Sequence, residues 1–369
     1  MTKTATAALG EMMGGLAALA LTTSRSPARL ARDYWTTAVL ESAAGHYATG
    51  LAHGMFGAQL PAAARSSADM TVRRERRPIG LDRRSLAAAF PGATGQLVVF
   101  LHGLVETERC WFRGADFGAR LAGDLGTTSV HVRYNSGRHV SENGGDLVTL
   151  LTRLIAAWPV PVTDIVLIGH SMGGLVARSA LYQAQEQDVP WFSRVSRLVC
   201  LGTPHNGAPL ERRVAQVAGL LGKSPLAAPL ARLLAIRSDG IRDLGHGYVH
   251  ESQWTAGAEF RRRPENDAGL RRLFVSATLS RTEGSIWGRL VGDLLVAPVT
   301  RGDLTEDADI VWLGGLNHFS LLHDDAVYET LLGWLRTDAG SRSPVRRTTV
   351  PRTAKARHSS ASPATSSRA

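Results

Sequence analysis

Ser171 stands in the run Gly169-His170-Ser171-Met172-Gly173, with a glycine two residues away on each side. The apolar stretch "DIVLIG" leads into it, and Val176, Ala180 and Leu181 follow at helical spacing. A strand that turns at once into a helix leaves no room for side chains flanking the turn, and glycine removes that clash. The serine is thereby held in a strained backbone conformation. Its hydroxyl sits at a helix N-terminus, where developing negative charge is favoured. A serine so placed is built to attack a carbonyl carbon. It then needs a base, an acid that orients the base, and N–H donors for the oxyanion.

With such an elbow the partners follow in the chain order serine, acid, histidine. Of the 12 histidines, His318 comes late, directly after "DIVWLGGLN" and before the last helix, so it is the expected base; His323 competes from the start of that helix. The acid is expected at Asp293 in "VGDLLV", with Asp303, Asp307 and Asp309 as alternatives in a stretch that reads as a solvated acidic loop. The oxyanion donors are expected to be the backbone N–H groups of Met172, which follows the nucleophile, and of Leu104, in the loop "FLHGLVE" after the first core strand. His102 reads as an organiser of that loop, and His131 as a core residue inside a strand. His170 reads as a packing residue that points away from the serine. His205 in "GTPHNG" reads as loop architecture near the site.

The elements that must carry these residues are legible from periodicity. Six short apolar runs read as strands: 96–103, 127–134, 164–169, 195–202, 271–278 and 308–313. Helical stripes lie between them, one carrying Leu147, Leu151, Leu154 and Trp158 and the last carrying Val327, Leu331, Trp334 and Leu335. Strands alternating with helices predict an α/β fold with a mostly parallel sheet covered on both faces, chemistry gathering at the carboxyl ends of the strands. Residues 208–262 break the rhythm and read as a helical insertion rich in leucine, including Leu220, Leu221, Leu226, Leu230, Leu233 and Leu234. Residues 1–60 read as a helical segment, 61–95, with "RRERRP", as an exposed connector, 96–337 as the catalytic domain, and 338–369 as a disordered basic tail.

Charge supports that division. The net charge is +10, and seven basic residues lie beyond Gly340 with no acid among them. The excess therefore belongs mostly to the tail, and no nucleic-acid partner is expected. Two cysteines, Cys110 and Cys200, are too few for a disulfide framework and lack a zinc-binding spacing, which suits a reduced, cytoplasmic protein. Residues 12–23 are apolar but too short to span a bilayer, and read as helix rather than as a signal peptide.

Together "FLHGL", "YNSGRHVSENG", "GHSMGG", "GTPHNG", "GDLLV" and "LNHFSLL" resemble α/β-hydrolase esterases and lipases of the bacterial triacylglycerol-lipase type. They are also similar to the catalytic domains of GPI inositol-deacylase-like proteins. The resemblance covers roughly residues 95–337. It implies a Ser171–Asp293–His318 triad, a lid over 208–262, no metal or organic cofactor, and hydrolysis of an ester, lipid-like or acyl, with peripheral contact to a lipid surface as an option. The chain departs from the relatives' "GDGLV" at Leu294, which keeps the other aspartates in view. The same triad serves a thioesterase, an amidase or a polyester depolymerase, and a hydrolase fold can also act as a non-catalytic interaction scaffold. A phosphate-cradling loop at "GLLGKS" is excluded because Val217 occupies the position of its first glycine.

Overall fold

The computed structural model describes residues 43–56, 69–207, 238–255, 269–278, 308–337 and 346–349. All six expected strands form: β3 (Gln96–Leu101), β4 (Thr128–Arg133), β5 (Asp164–His170), β6 (Val195–Leu201), β7 (Arg271–Thr278) and β8 (Ala308–Gly314). The described residues add a hairpin, β1 (Thr71–Arg74) and β2 (Arg77–Pro78), and a short β9 (Arg346–Thr349). The sheet order is β2-β1-β4-β3-β5-β6-β7-β8-β9. The two pairings made by β1 are antiparallel and all others are parallel. β4 and β5 lie on opposite sides of β3, so the chain reverses its direction of travel across the sheet there. Loops after β3 and β5 therefore diverge and open a crevice at the carboxyl edge.

Alternation along β3 shows why both faces must be covered. Leu97, Val99 and Leu101 pack into one apolar core with α4 (Val140–Ala157) and α5 (Met172–Glu186). Val98 and Phe100 pack into the other core with α3 (Phe117–Leu125) and α8 (Asp325–Leu335). The expected stripe of Leu147, Leu151, Leu154 and Trp158 is buried against the first face. Among the described residues no helix is long and apolar enough to cross a membrane.

Two expectations about the flanks are corrected. The exposed connector at 61–95 instead carries β1, β2 and α2 (Arg83–Ala89). Arg74 to Arg77 of the charge run do face solvent, but Arg73 is buried beside Glu108. Glu108 also takes two hydrogen bonds from Arg133, each 2.6 Å, and Arg133 reaches His46 of α1 (Ala43–Phe56) at 2.6 Å. Burial alone would raise the Glu108 pKa, but the Arg133 guanidinium holds it below the ordinary carboxylate range. This buried charge network locks α1, β1, β4 and the turn at Glu108 together. The second correction concerns the tail. Arg346–Thr349 pair in parallel with β8, so 338–369 is not wholly disordered.

Candidate active site

β5 ends at His170 and α5 starts at Met172, leaving Ser171 alone at the corner with φ 52° and ψ −121°. A non-glycine residue with this backbone is strained and persists only where its surroundings hold it. Here Ser171 N–H donates to Leu201 O at 2.8 Å, and Ser171 O accepts from Gly174 N–H at 3.1 Å. The flanking glycines have the steric reason expected of them. A methyl group on Gly169 would run into the backbone of Gly173 and Gly174, and one on Gly173 would sit 2.6 Å from His102 O. Met172, as the first residue of α5, has an N–H with no acceptor inside the helix.

The loop after β3 closes against this corner. A methyl group on Gly103 would lie 3.1 Å from Ser171 Cβ. His102 is fully buried and stacks on Tyr134. Its Nδ1 faces the Gly103 carbonyl at 2.9 Å and must donate, while its Nε2 accepts the Tyr134 N–H at 3.2 Å. One acceptor and one donor require the neutral ring. Burial, the dominant cause, pushes its pKa down to about 4. The next residues after Leu104 are unusual. Val105 adopts φ 56°, a left-handed conformation costly for a β-branched side chain, and donates its N–H to Ser136 Oγ at 3.1 Å.

His318 opens a one-turn 3-10 helix, His318–Leu322, directly after β8. Asn317 caps it by accepting the N–H groups of Phe319 and Ser320. Only 4% of His318 is exposed. Gly202, next to the Leu201 carbonyl that holds Ser171, would clash with the His318 ring if it carried a methyl group, at 3.0 Å from Nδ1. The His170 and His318 rings lie 4.7 Å apart. Ser171, the Gly103–Leu104 loop and His318 thus converge at the carboxyl edge of β3, β5, β6 and β8.

Residues 137–265 match the family model of the PGAP1-like alpha/beta domain. Among solved structures the chain is similar to the mature lipase BlEst2 of Bacillus licheniformis, with 20% identity and a TM-score of 0.46 over 65% of this chain and 91% of that one. It is similar also to a thermophilic esterase from Thermogutta terrifontis, with 16% identity and a TM-score of 0.39 over 66% and 90% of the two chains. MenH from S. aureus is 17% identical, with a TM-score of 0.37 over 66% and 94%. No curated protein matches the sequence.

Other candidate residues fall elsewhere. Asp293, Asp303 and Asp307 lie outside the described residues, as do 208–237 and 256–262 of the insertion. Asp309 sits near the amino end of β8, away from Ser171, where it accepts from Trp334 Nε1 at 2.6 Å and from Arg271 at 3.2 Å. His323 is exposed and packs against Gly114. His205 is buried beside Arg178, 3.1 Å away, and burial drives its pKa well below the usual histidine range. His131 lies in the core, stacked on Phe100.

The reading of His170 as a packing residue needs correction. It is buried, but its Nδ1 lies 3.0 Å from Glu106 Oε2 and its Nε2 lies 3.2 Å from His318 O. Glu106 was not singled out at all from the sequence. Its only signal there is an acid three residues after the glycine of "HGLVE", which exposed loops supply routinely.

Proposed function

We propose that this protein is an α/β-hydrolase that cleaves carboxylic esters, lipid-like or acyl esters first among them, through an acyl-enzyme on Ser171. The observation that carries the reading is the strained Ser171 corner with His318 and the Gly103–Leu104 loop converging on it. In this mechanism Ser171 Oγ attacks the ester carbonyl carbon as His318 takes its proton. Asp293 orients the His318 ring and stabilises the imidazolium that forms. The N–H groups of Leu104 and Met172 hold the oxyanion, where preorganised donors contribute most of the rate. His318 then passes its proton to the departing alkoxide. A water, deprotonated by His318, adds to the acyl-enzyme and regenerates Ser171. The leucine-rich run 220–234 fits an acyl chain or a lipid surface, and two unpaired buried cysteines fit a reduced, cytoplasmic setting.

The test is hydrolysis of nitrophenyl esters from acetyl to palmitoyl by the wild type and Ser171→Ala together. A loss of kcat of about 10⁴-fold or more in the variant, in line with removal of a serine nucleophile, is expected, with the highest kcat/KM on the longer chains. Equal rates in the two proteins would remove Ser171 as the nucleophile. A preference for acetyl esters would remove the lipid-like substrate.

A further inference from the structure

Three segments far apart in the chain meet at one buried ion pair. Glu106 and His170 are 7% and 1% exposed. Glu106 Oε2 accepts the Gly103 N–H at 3.0 Å as well as the His170 Nδ1–H at 3.0 Å. His170 Nε2 faces the His318 carbonyl oxygen at 3.2 Å, and a carbonyl can only accept. Both nitrogens of His170 therefore face acceptors, which calls for a proton on each and a positive ring. His102, one loop away, faces one donor and one acceptor and is neutral, so the contrast is set by partners rather than by burial. Glu106 supplies the balancing charge. Burial opposes its ionisation, but the charge of His170 and its hydrogen bonds bring its pKa down to about 2.

We infer that the Glu106–His170 pair is the positioning device of the site, tying the oxyanion loop at Gly103 and the His318 backbone to the corner that carries Ser171. Its role in turnover rests on the ester-hydrolase reading above; the structural tie does not. Neither residue touches the substrate. The carboxylate holds the turn from which Leu104 projects its N–H. The imidazolium holds the residue whose ring must reach Ser171. Both links end on backbone atoms, so they fix loop position while leaving the His318 ring free to exchange protons. A charged pair suits this because it is short, directional and buried beside the corner it serves.

The experiment compares Glu106→Gln and the double variant Glu106→Gln/His170→Leu with the wild type. The double variant holds no unpaired buried charge and keeps an acceptor for the Gly103 N–H, so it is expected to fold. Replacing a buried ion pair by uncharged residues is often neutral for stability. For a positioning pair, kcat falls at least tenfold in both variants while KM changes less than threefold, because loop displacement near 1 Å costs on the order of 100-fold in rate. Amide hydrogen exchange rises in 103–106 of the single variant and in 317–322 of the double variant. Double-variant kcat within twofold of wild type, at unchanged melting temperature, would overturn the positioning role. Unchanged exchange in 317–322 would overturn the tie itself. Should the wild type hydrolyse no ester and fail to react with a serine-directed fluorophosphonate, the hydrolase reading falls, and the exchange data still decide the tie.

Discussion

An alanine at Gly50 is expected to damage the site from a helix that carries none of its chemistry. α1 packs on the Gly103–Glu106 loop, the proposed source of an oxyanion donor, through Gly50 and Gly54. A methyl group on Gly50 would overlap the Val105 carbonyl oxygen and lie 2.9 Å from its carbon and 3.3 Å from the Glu106 carbonyl carbon. These are backbone atoms and cannot rotate away. Val105 is already strained, and its N–H is committed to Ser136, so the loop has little slack. Two effects compete. Alanine gains about 1 kcal/mol of helix propensity over glycine, while forcing a methyl into a packed contact costs about 1–3 kcal/mol. The net is a stability loss of about 0–2 kcal/mol, a few degrees in Tm for a domain of this size. The larger effect falls on rate, because Leu104 immediately precedes the displaced residue. We expect kcat on a nitrophenyl ester to fall about 10- to 100-fold at nearly constant KM. Gly333→Ala in α8 is the control, since nothing lies within 4 Å of its added methyl. That variant should gain about 0.5–1 kcal/mol from propensity alone, with unchanged kcat. If Gly50→Ala behaves like Gly333→Ala, more stable and fully active, α1 does not press on the loop and the reasoning fails.

Two further outcomes concern stability. His53, His102 and His131 are all held neutral by burial, with pKa values near 4 against an ordinary 6.5. Above pH 6.5 neither folded nor unfolded chain protonates them; as pH falls from 6.5 towards 4 only the unfolded chain gains protons, so stability is lost in that window. Each contributes a loss of about 1.4 kcal/mol by pH 5.5. Asp243, raised to about 6 mainly by burial, works the other way and returns less than about 1 kcal/mol. The urea midpoint should therefore drop steeply between pH 7 and 5.5, and a flat profile would contradict the burial of these rings. Glu108→Gln leaves Arg133 buried without its counter-charge and is expected to cost about 3–5 kcal/mol; a loss below about 1 kcal/mol in denaturant titration would show that the network carries no such strength.

What the sequence determined by itself is whatever local sterics and periodicity enforce. Gly169 and Gly173 announce the Ser171 corner because a side chain at either place meets backbone within a few residues or across one strand. The six core strands read as continuous apolar runs because both of their faces are covered. His318 was legible from chain order, since its loop follows a strand and precedes a helix. The tertiary structure alone decided the surroundings of Glu106, His170, Arg73 and Gly50. A charged residue in a sequence signals solvent unless its partner is known, and the partners here lie 64 residues from Glu106 and 35 from Arg73. That is why the charge run after Val72 read as a connector although it begins with a buried arginine in β1, a strand paired on both sides. It is also why His170 read as packing: its burial was foreseeable, but the two acceptors facing its ring come from loops that only the folded sheet brings together.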